Sequence, residues 1–473
     1  MLRSTSFTLR STLRANISPR KFTNLNFVGK RSWTSVTTTK DALVLDEWPN
    51  TPFPYVWLRD SCQTSPGAIH PTTKQKVHHT TDIPLDIRPV GLAEGARISY
   101  DPSTSSSSSE EKSVEVLQDA IRIRWTDGHV SLFTRKFLER HSTPEKLHAY
   151  HLSQHTKPLP WTSSTIPSSP SLFVPYSSLS TPSGLVALRT QLLQYGLVFV
   201  RGVPNERKGN EECELKRLAE TVGEIRETFY GKLWDVINVK DSKNIAYTNL
   251  DLGLHMDLLC VLSIHTSTLP NDPCRYFQNP PRFQALHCLR NRVVGGTSVF
   301  VDALHAAQTL FRTDPDAFRT LASTPVAFQY VNDGHHLYRE HTTIQLASAS
   351  SLNANPNGKD GEVPAIAHIN YSPPFQGPLP LSTPPSFYPA LRTFASILND
   401  PSNTFSYTLA EGDCVLFDNR RVLHARTAFQ EKEGGEEGIV FGQGEERTNR
   451  WLKGCYLEAD AVEDRMRVGR EKL

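Results

Sequence analysis

No Cys-X-X-Cys pair occurs in this 473-residue chain, and its seven cysteines, at 62, 213, 260, 274, 288, 414 and 455, are odd in number and scattered. That pattern excludes a four-cysteine zinc ribbon and argues against a secreted disulfide scaffold. No apolar run reaches the roughly 18–20 residues that cross a bilayer, so no integral membrane association is expected. A surplus of one charge is missing too. Lys and Arg total 51 against 49 Asp and Glu, a net +2 without the dense basic surface that nucleic acid requires. The low hydrophobicity and high net charge of a disordered chain are likewise absent. The length suggests two domains and a terminal segment, because single cores rarely grow past about 250–300 residues.

What is present is unevenly distributed. Residues 1–40 carry eight basic residues, among them Arg3, Arg10, Arg14 and Arg20, and no acid. Leu2, Phe7, Leu9, Leu13 and Ile17 recur there at roughly helical spacing amid Ser and Thr. Such a start reads as a mitochondrial presequence over 1–33, placing the protein in the matrix, with a basic tail as the plainer alternative. From 41 to 150 short runs such as Leu43–Trp48, Tyr55–Leu58, Ile121–Trp125 and Val130–Phe133 predict a small β-rich domain. The serine run Ser105–Ser109 reads as a loop insertion. Residues 156–184, dense in Ser, Thr and Pro, are expected to link it to a second domain over 185–473. There Leu185–Tyr195 predicts a helix, and Gly196–Val200, Phe283–Leu286, Val299–Val301 and Val415–Phe417 predict buried strands. Short strands with few long helices favour a mainly β, antiparallel architecture decorated by helices.

The chemistry starts at His255-Met256-Asp257. A spacing of two on a strand turns both side chains to one face. An imidazole and a carboxylate so placed fill two of three facial positions on non-haem Fe(II). A surface strand pair is the other reading of the tripeptide. A third ligand must come from far along the chain, and His424, after the turn Glu411-Gly412-Asp413 and the strand Cys414–Phe417, is the candidate. Arg450 lies beyond it, a fixed cation suited to bidentate pairing with a carboxylate. A turn histidine and a surface cation are the corresponding alternatives.

Taken in order, Ala246-Tyr247-Thr248-Asn249, His255-X-Asp257, Phe283-Gln284-Ala285-Leu286-His287-Cys288, Gly295-Gly296-Thr297-Ser298, Val301-Asp302-Ala303, Asp418-Asn419-X-Arg421-Val422-Leu423-His424 and Arg450-X-Leu452-X-Gly454-Cys455-Tyr456 carry a resemblance. The chain resembles, over roughly 43–470, the 2-oxoglutarate-dependent Fe(II) dioxygenases of carnitine synthesis. Trp57-Leu58-Arg59-Asp60-X-Cys62 and Trp125-X-Asp127-Gly128-His129 are similar to that family's N-terminal domain. The resemblance implies a double-stranded β-helix (jelly-roll) catalytic domain preceded by the small β-rich domain. It implies iron held by His255, Asp257 and His424, with 2-oxoglutarate and O₂ as cosubstrates and ascorbate as the reductant. Arg450 would pair with the far carboxylate of 2-oxoglutarate, assisted by Ser298, and Asn244 would line the cosubstrate pocket. The family's substrates, gamma-butyrobetaine and trimethyllysine, are small quaternary ammonium compounds bound by aromatic faces. Tyr230, Trp234, Tyr247 and Tyr456 match the aromatic cage of the butyrobetaine branch, and the trimethyllysine branch lacks the tryptophan. The resemblance is compatible with a homodimer.

Departures accompany the matches. The stretch between Asp257 and Pro280 is about sixteen residues longer than the family pattern, and removing Cys260–Arg275 restores its length; it reads as a lid loop or as translated intron. Glu431–Glu446, with five glycines, is a second insertion. Ala425 replaces the glycine usual after the distal histidine, and Ser372 stands where an amide would contact the substrate carboxylate. In the N-terminal domain Cys62 and His129 remain, but Thr64 and Gly67 occupy positions where the family has two more cysteines. Two ligands do not make a structural zinc site, so zinc is not expected.

Overall fold

The computed structural model describes residues 35–64, 66–100, 112–228, 231–238, 248–257, 280–332, 335–347, 363–432, 438–440 and 447–471. The chain divides into two compact units, Met1–Ser153 and Gln154–Leu473. In the first, Ser35–Thr38, Ala42–Leu45, Trp48–Pro54 and Arg97–Ser99 form a four-stranded antiparallel sheet. Val114–Val116, Ala120–Arg124 and Val130–Thr134 form a three-stranded meander. Val36, Leu43, Phe53, Ile121, Trp125 and Phe133 share their core. One expected strand is corrected: Tyr55–Asp60 is a helix. Pro54 supplies the extended residue before its first turn, and Trp57 packs against Phe53 and Phe137, contacts that a helical turn makes possible.

The strands that build the larger unit are β1 (Phe173–Pro175), β2 (Leu197–Arg201), β3 (Ile225–Arg226), β4 (Trp234–Ile237), β5 (Leu252–His255), β6 (Phe283–Asn291), β7 (Ser298–Asp302), β8 (Thr404–Tyr407), β9 (Cys414–Asp418), β10 (Val422–Arg426) and β11 (Arg450–Leu457). A major sheet has the order β3-β11-β6-β9-β2-β1, with β4 also paired to β11. A minor sheet has the order β5-β10-β7-β8. The protein is a jelly roll with helices on the outer faces.

Both sheets are covered on both sides, and β2 and β9 of the major sheet read as continuous apolar runs over Leu197–Val200 and Cys414–Phe417. In β2, Leu197 and Phe199 join Val415, Phe417, Phe300 and Val422 in one cluster that takes residues from both sheets. Val198 and Val200 belong to a second cluster with Leu188, Leu192, Leu215, Leu218 and Met466, from helices Pro182–Tyr195, Glu214–Val222 and Ala459–Glu471. A third cluster combines Leu254, Met256, Val301 and Leu423 with helices Ala303–Thr313, Pro315–Ser323 and Phe387–Leu398.

The linker expected over 156–184 is also corrected, because this stretch belongs to the larger unit. β1 pairs in parallel with β2, and Trp161, Ile166, Leu172 and Val174 are buried. The indole of Trp161 donates to Tyr195 O at 2.6 Å, and its backbone N–H donates to Asp302 at 3.0 Å. The prolines and serines form short turns between these apolar anchors rather than a free tether.

Candidate active site

β5 and β10 place His255 directly opposite His424, and their ring centroids are 4.2 Å apart. β5 ends at His255, yet the alternation continues past it. Leu254 and Met256 pack into the outer helical cluster, which turns His255 and Asp257 to the opposite side. Met256 N–H is held by Tyr371 O at 2.9 Å. The donor atoms of His255, Asp257 and His424 all lie within 4.8 Å of one another. Asp257 Oδ1 faces His255 Nε2 at 3.5 Å and His424 Nε2 at 3.8 Å, and Tyr456 donates its hydroxyl to Oδ2 at 2.7 Å. The two carboxylate oxygens are therefore differentiated, one facing the imidazoles and one tied to a phenol.

Electrostatics prepares these groups for a cation. His255 Nδ1 lies 2.8 Å from Gly253 O; as the donor there, it leaves Nε2 free as a lone-pair donor. Burial, reinforced by His255, pushes His424 down to about 3, so its imidazole is neutral at ordinary pH. Burial raises the Asp257 carboxyl, but His255, His424 and Tyr456 together outweigh it and hold the group well below the usual carboxylate range. Two imidazole nitrogens and one carboxylate oxygen on a shared face suit non-haem Fe(II).

Much of the motif before His424 is structural. Asp418 pairs with Arg282 at 3.0 Å, and Arg421 grips Asp302 with two nitrogens at 3.0 and 2.8 Å. Arg421 also donates to Gln194 O and Leu159 O, at 2.6 and 2.7 Å. These bonds tie the β9–β10 corner to the start of the helix after β7.

Arg450, at the start of β11, is 4% exposed, and its Nε has no partner among the described residues. Phe429 separates it from a second cation, with Arg450 Cζ 5.2 Å and Arg426 Cζ 5.1 Å from the ring. Burial, then Arg426, lowers Arg450 to about 10, which leaves it charged at neutral pH. Gly296 makes room for it: φ is +69°, and a Cβ there would meet Arg450 Nε at 3.0 Å. A buried guanidinium without an acidic partner among the described residues fits the far carboxylate of 2-oxoglutarate. Ser298 opens β7 opposite Arg426, and no hydrogen bond joins it to Arg450 among the described residues. Sequence reasoning missed Phe429 and the role of Gly296. The adjacent glycines Gly295-Gly296 were the available signal for close backbone approach.

Trp234 and Tyr456 form a stacked pair, with centroids 4.2 Å apart and planes at 26°. Gly454, opposite Trp234 in the β4–β11 register, permits the stack, because a Cβ there would lie 2.7 Å from the indole. Across β11, Gln284 pairs with Tyr456 and, on its other side, with Phe417. Gln284 is 3% exposed and Ser372 1%, and neither Gln284 Oε1 nor Ser372 Oγ has a partner among the described residues. Tyr230, Asn244 and Tyr247, and the whole insertion after Asp257 from 258 to 279, lie outside the described residues.

In the first unit, Cys62 Sγ lies 3.2 Å from His129 Nε2, and Thr64 N–H donates to the same sulfur at 3.3 Å. A Cβ on Gly67 would come within 2.9 Å of the His129 ring. The four positions singled out in the sequence converge, and two of them carry a ligand atom.

A jelly roll carrying a two-histidine, one-carboxylate face and a buried arginine with no acidic partner among the described residues fits the class of 2-oxoglutarate-dependent non-haem iron oxygenases. Comparison with known proteins narrows it: the chain belongs to the taurine catabolism dioxygenase TauD, TfdA family, matched over residues 164–456. It is 45% identical over 419 residues to Dioxygenase str8 of Strobilurus tenacellus, covering 88% of this chain and 85% of that one. It is 30% identical over 419 residues to the gamma-butyrobetaine dioxygenase of Pseudomonas sp. (strain AK-1), covering 88% and 90%. Identity to the mitochondrial trimethyllysine dioxygenase of Gallus gallus is 27% over 411 residues, covering 87% and 81%. The protein is an Fe(II)- and 2-oxoglutarate-dependent dioxygenase that uses O₂.

Proposed function

We propose that this dioxygenase hydroxylates gamma-butyrobetaine to L-carnitine, with His255, Asp257 and His424 holding the iron and Arg450 the far carboxylate of 2-oxoglutarate. When bound, the iron would activate O₂, the oxidant: one oxygen atom would enter the substrate C–H bond as hydroxyl, and the other would enter succinate as 2-oxoglutarate is oxidised and loses CO₂. The observation that carries the reading is the Trp234–Tyr456 stack, joined to Asp257 through the Tyr456 hydroxyl. Two π faces beside a metal ligand suit a trimethylammonium group, which cannot donate a hydrogen bond and is held by cation–π attraction. Gripping that group decides which C–H faces the metal. Tyr230 and Tyr247 complete the cage in this reading. The resemblance to a gamma-butyrobetaine dioxygenase supports it.

Trimethyllysine is the second substrate to test. Ser372 is shorter than an amide side chain, leaves its hydroxyl without a partner, and gives room to a bulkier zwitterionic head group. Relatives described as trimethyllysine dioxygenases also match the chain. A third possibility is a homologue that binds quaternary ammonium compounds without turning them over. Succinate formation by purified protein with Fe(II), 2-oxoglutarate, ascorbate and each substrate separates the three. Faster turnover of butyrobetaine supports the proposal, faster turnover of trimethyllysine replaces it with the second reading, and binding without succinate supports the third. The same reading places the protein in the mitochondrial matrix through residues 1–33. Fusing that segment to a reporter should direct it to mitochondria, and a cytosolic reporter would contradict the assignment.

A further inference from the structure

Asn419, immediately after β9, is fully buried, and its carboxamide makes three hydrogen bonds to backbone groups. Oδ1 accepts from the Asp257 N–H at 2.8 Å, and Nδ2 donates to Asp257 O at 2.9 Å and to Pro281 O at 3.0 Å. Its own backbone N–H donates to Arg282 O at 2.6 Å. A carboxamide has the donor and acceptor set of a peptide group. β5 stops at His255, so Asp257 has no strand neighbour for its N–H and C=O. Asn419 serves as that neighbour through a two-point pairing, and its remaining hydrogen reaches the point where the chain returns at Pro281.

We propose that Asn419 is a positioning residue for the iron ligand Asp257. It sets the Asp257 backbone against His255 and His424 and ties it to Pro281, so that the ligand geometry is decided locally rather than by the length of chain between 258 and 280. Both amide hydrogens are committed to backbone carbonyls and Oδ1 accepts the Asp257 N–H, so the side chain acts through the Asp257 backbone. Without Asn419 the Asp257 peptide groups would have to turn to find partners, because buried amides are rarely left unpaired. The carboxylate would turn with them. One side chain thus ties together Asp257 and Pro281, which stand on either side of residues 258–279 in the sequence. The inference rests on the assignment of His255, Asp257 and His424 as ligands and is independent of the substrate.

The test uses the full chain and Mn(II), a redox-silent probe whose binding is read by electron paramagnetic resonance. Asn419→Ala and the milder Asn419→Ser should raise the Mn(II) Kd tenfold or more, as the loss of a residue supporting a ligand typically does. Deletion of 260–275 with Asn419 intact should leave that Kd within about threefold of wild type. A purely structural amide would lower thermal stability yet leave Mn(II) affinity unchanged in the folded variants, and that result overturns the proposal. So does a deletion that weakens Mn(II) binding as much as Asn419→Ala. If neither substitution folds, the deletion decides: a Kd within about threefold of wild type supports the proposal, and a rise of tenfold or more overturns it. His255→Ala is the control: wild-type Mn(II) affinity in that variant would overturn the ligand set beneath the inference.

Discussion

Arg450 and Tyr456 show how much individual atoms determine here. Arg450 is a buried cation whose Nε has no partner among the described residues, and in the proposed function a dicarboxylate completes it. Arg450→Met should raise the apparent KM for 2-oxoglutarate roughly a hundredfold or more, about 3 kcal/mol of lost charge pairing. Arg426 is not a substitute, because its guanidinium already serves the carbonyls of Thr248 and Leu250 at 2.7 and 2.6 Å. An unchanged KM would transfer the role to another cation. Tyr456 and Trp234 are separable although they stack. Tyr456→Phe keeps the ring and removes the donor to Asp257, so it should weaken metal binding about tenfold. Trp234→Leu should leave metal and 2-oxoglutarate binding alone and weaken butyrobetaine binding by roughly tenfold or more, since about 1.4 kcal/mol is a decade. A neutral tert-butyl isostere of butyrobetaine, titrated against both proteins, separates charge from shape. Equal losses for the two ligands would contradict the cage.

Among the elements, the corner between β9 and β10 is where stability and site meet. Arg421 and Asp302 form a buried bidentate pair, with side chains 8% and 0% exposed. Arg421→Met would leave the buried Asp302 carboxylate without its counter-ion and remove the Arg421 donor from Leu159 O, while Gln194 O would keep the Leu159 N–H. We expect a loss of about 3–5 kcal/mol, read as a lowered urea midpoint. Adding Asp302→Asn should recover part of it, because the remaining polar group is then neutral. A loss below about 1 kcal/mol would mean that the corner relaxes around the change. The sequence marked this motif as functional, and His424 is the residue in it that faces the metal site. The others were opaque because a salt bridge between positions 302 and 421 has no local sequence signal.

For the whole molecule, buried histidines set the response to acid. Burial pushes His287, fully enclosed on β6, down to about 4. Its unfolded value is near 6.5, so between those limits the unfolded chain binds more protons than the folded one. Stability contributed by this site is present above pH 6.5 and lost as pH falls towards 4, reaching about 3 kcal/mol. The urea midpoint should therefore fall between pH 7 and 4.5, and His287→Leu should flatten part of that fall. A variant with the wild-type pH slope would show that other groups govern it.

Local rules go far in this chain because alternation along a strand is a property of consecutive residues. Period two turned His255 and Asp257 to one face, and continuous apolar runs identified β2 and β9 as strands covered on both sides. The same logic erred at Tyr55–Asp60, where packing of Trp57 favours a helix, and over 156–184, where a few apolar residues among serines and prolines anchor the segment to the larger unit. Tertiary structure alone decided that His424 stands across from His255, that Phe429 lies between Arg426 and Arg450, and that one asparagine carboxamide joins Asp257 to Pro281. Each of these is a contact between residues distant in sequence, set by strand register and sheet closure, and register is a property of the assembled sheets rather than of any one strand.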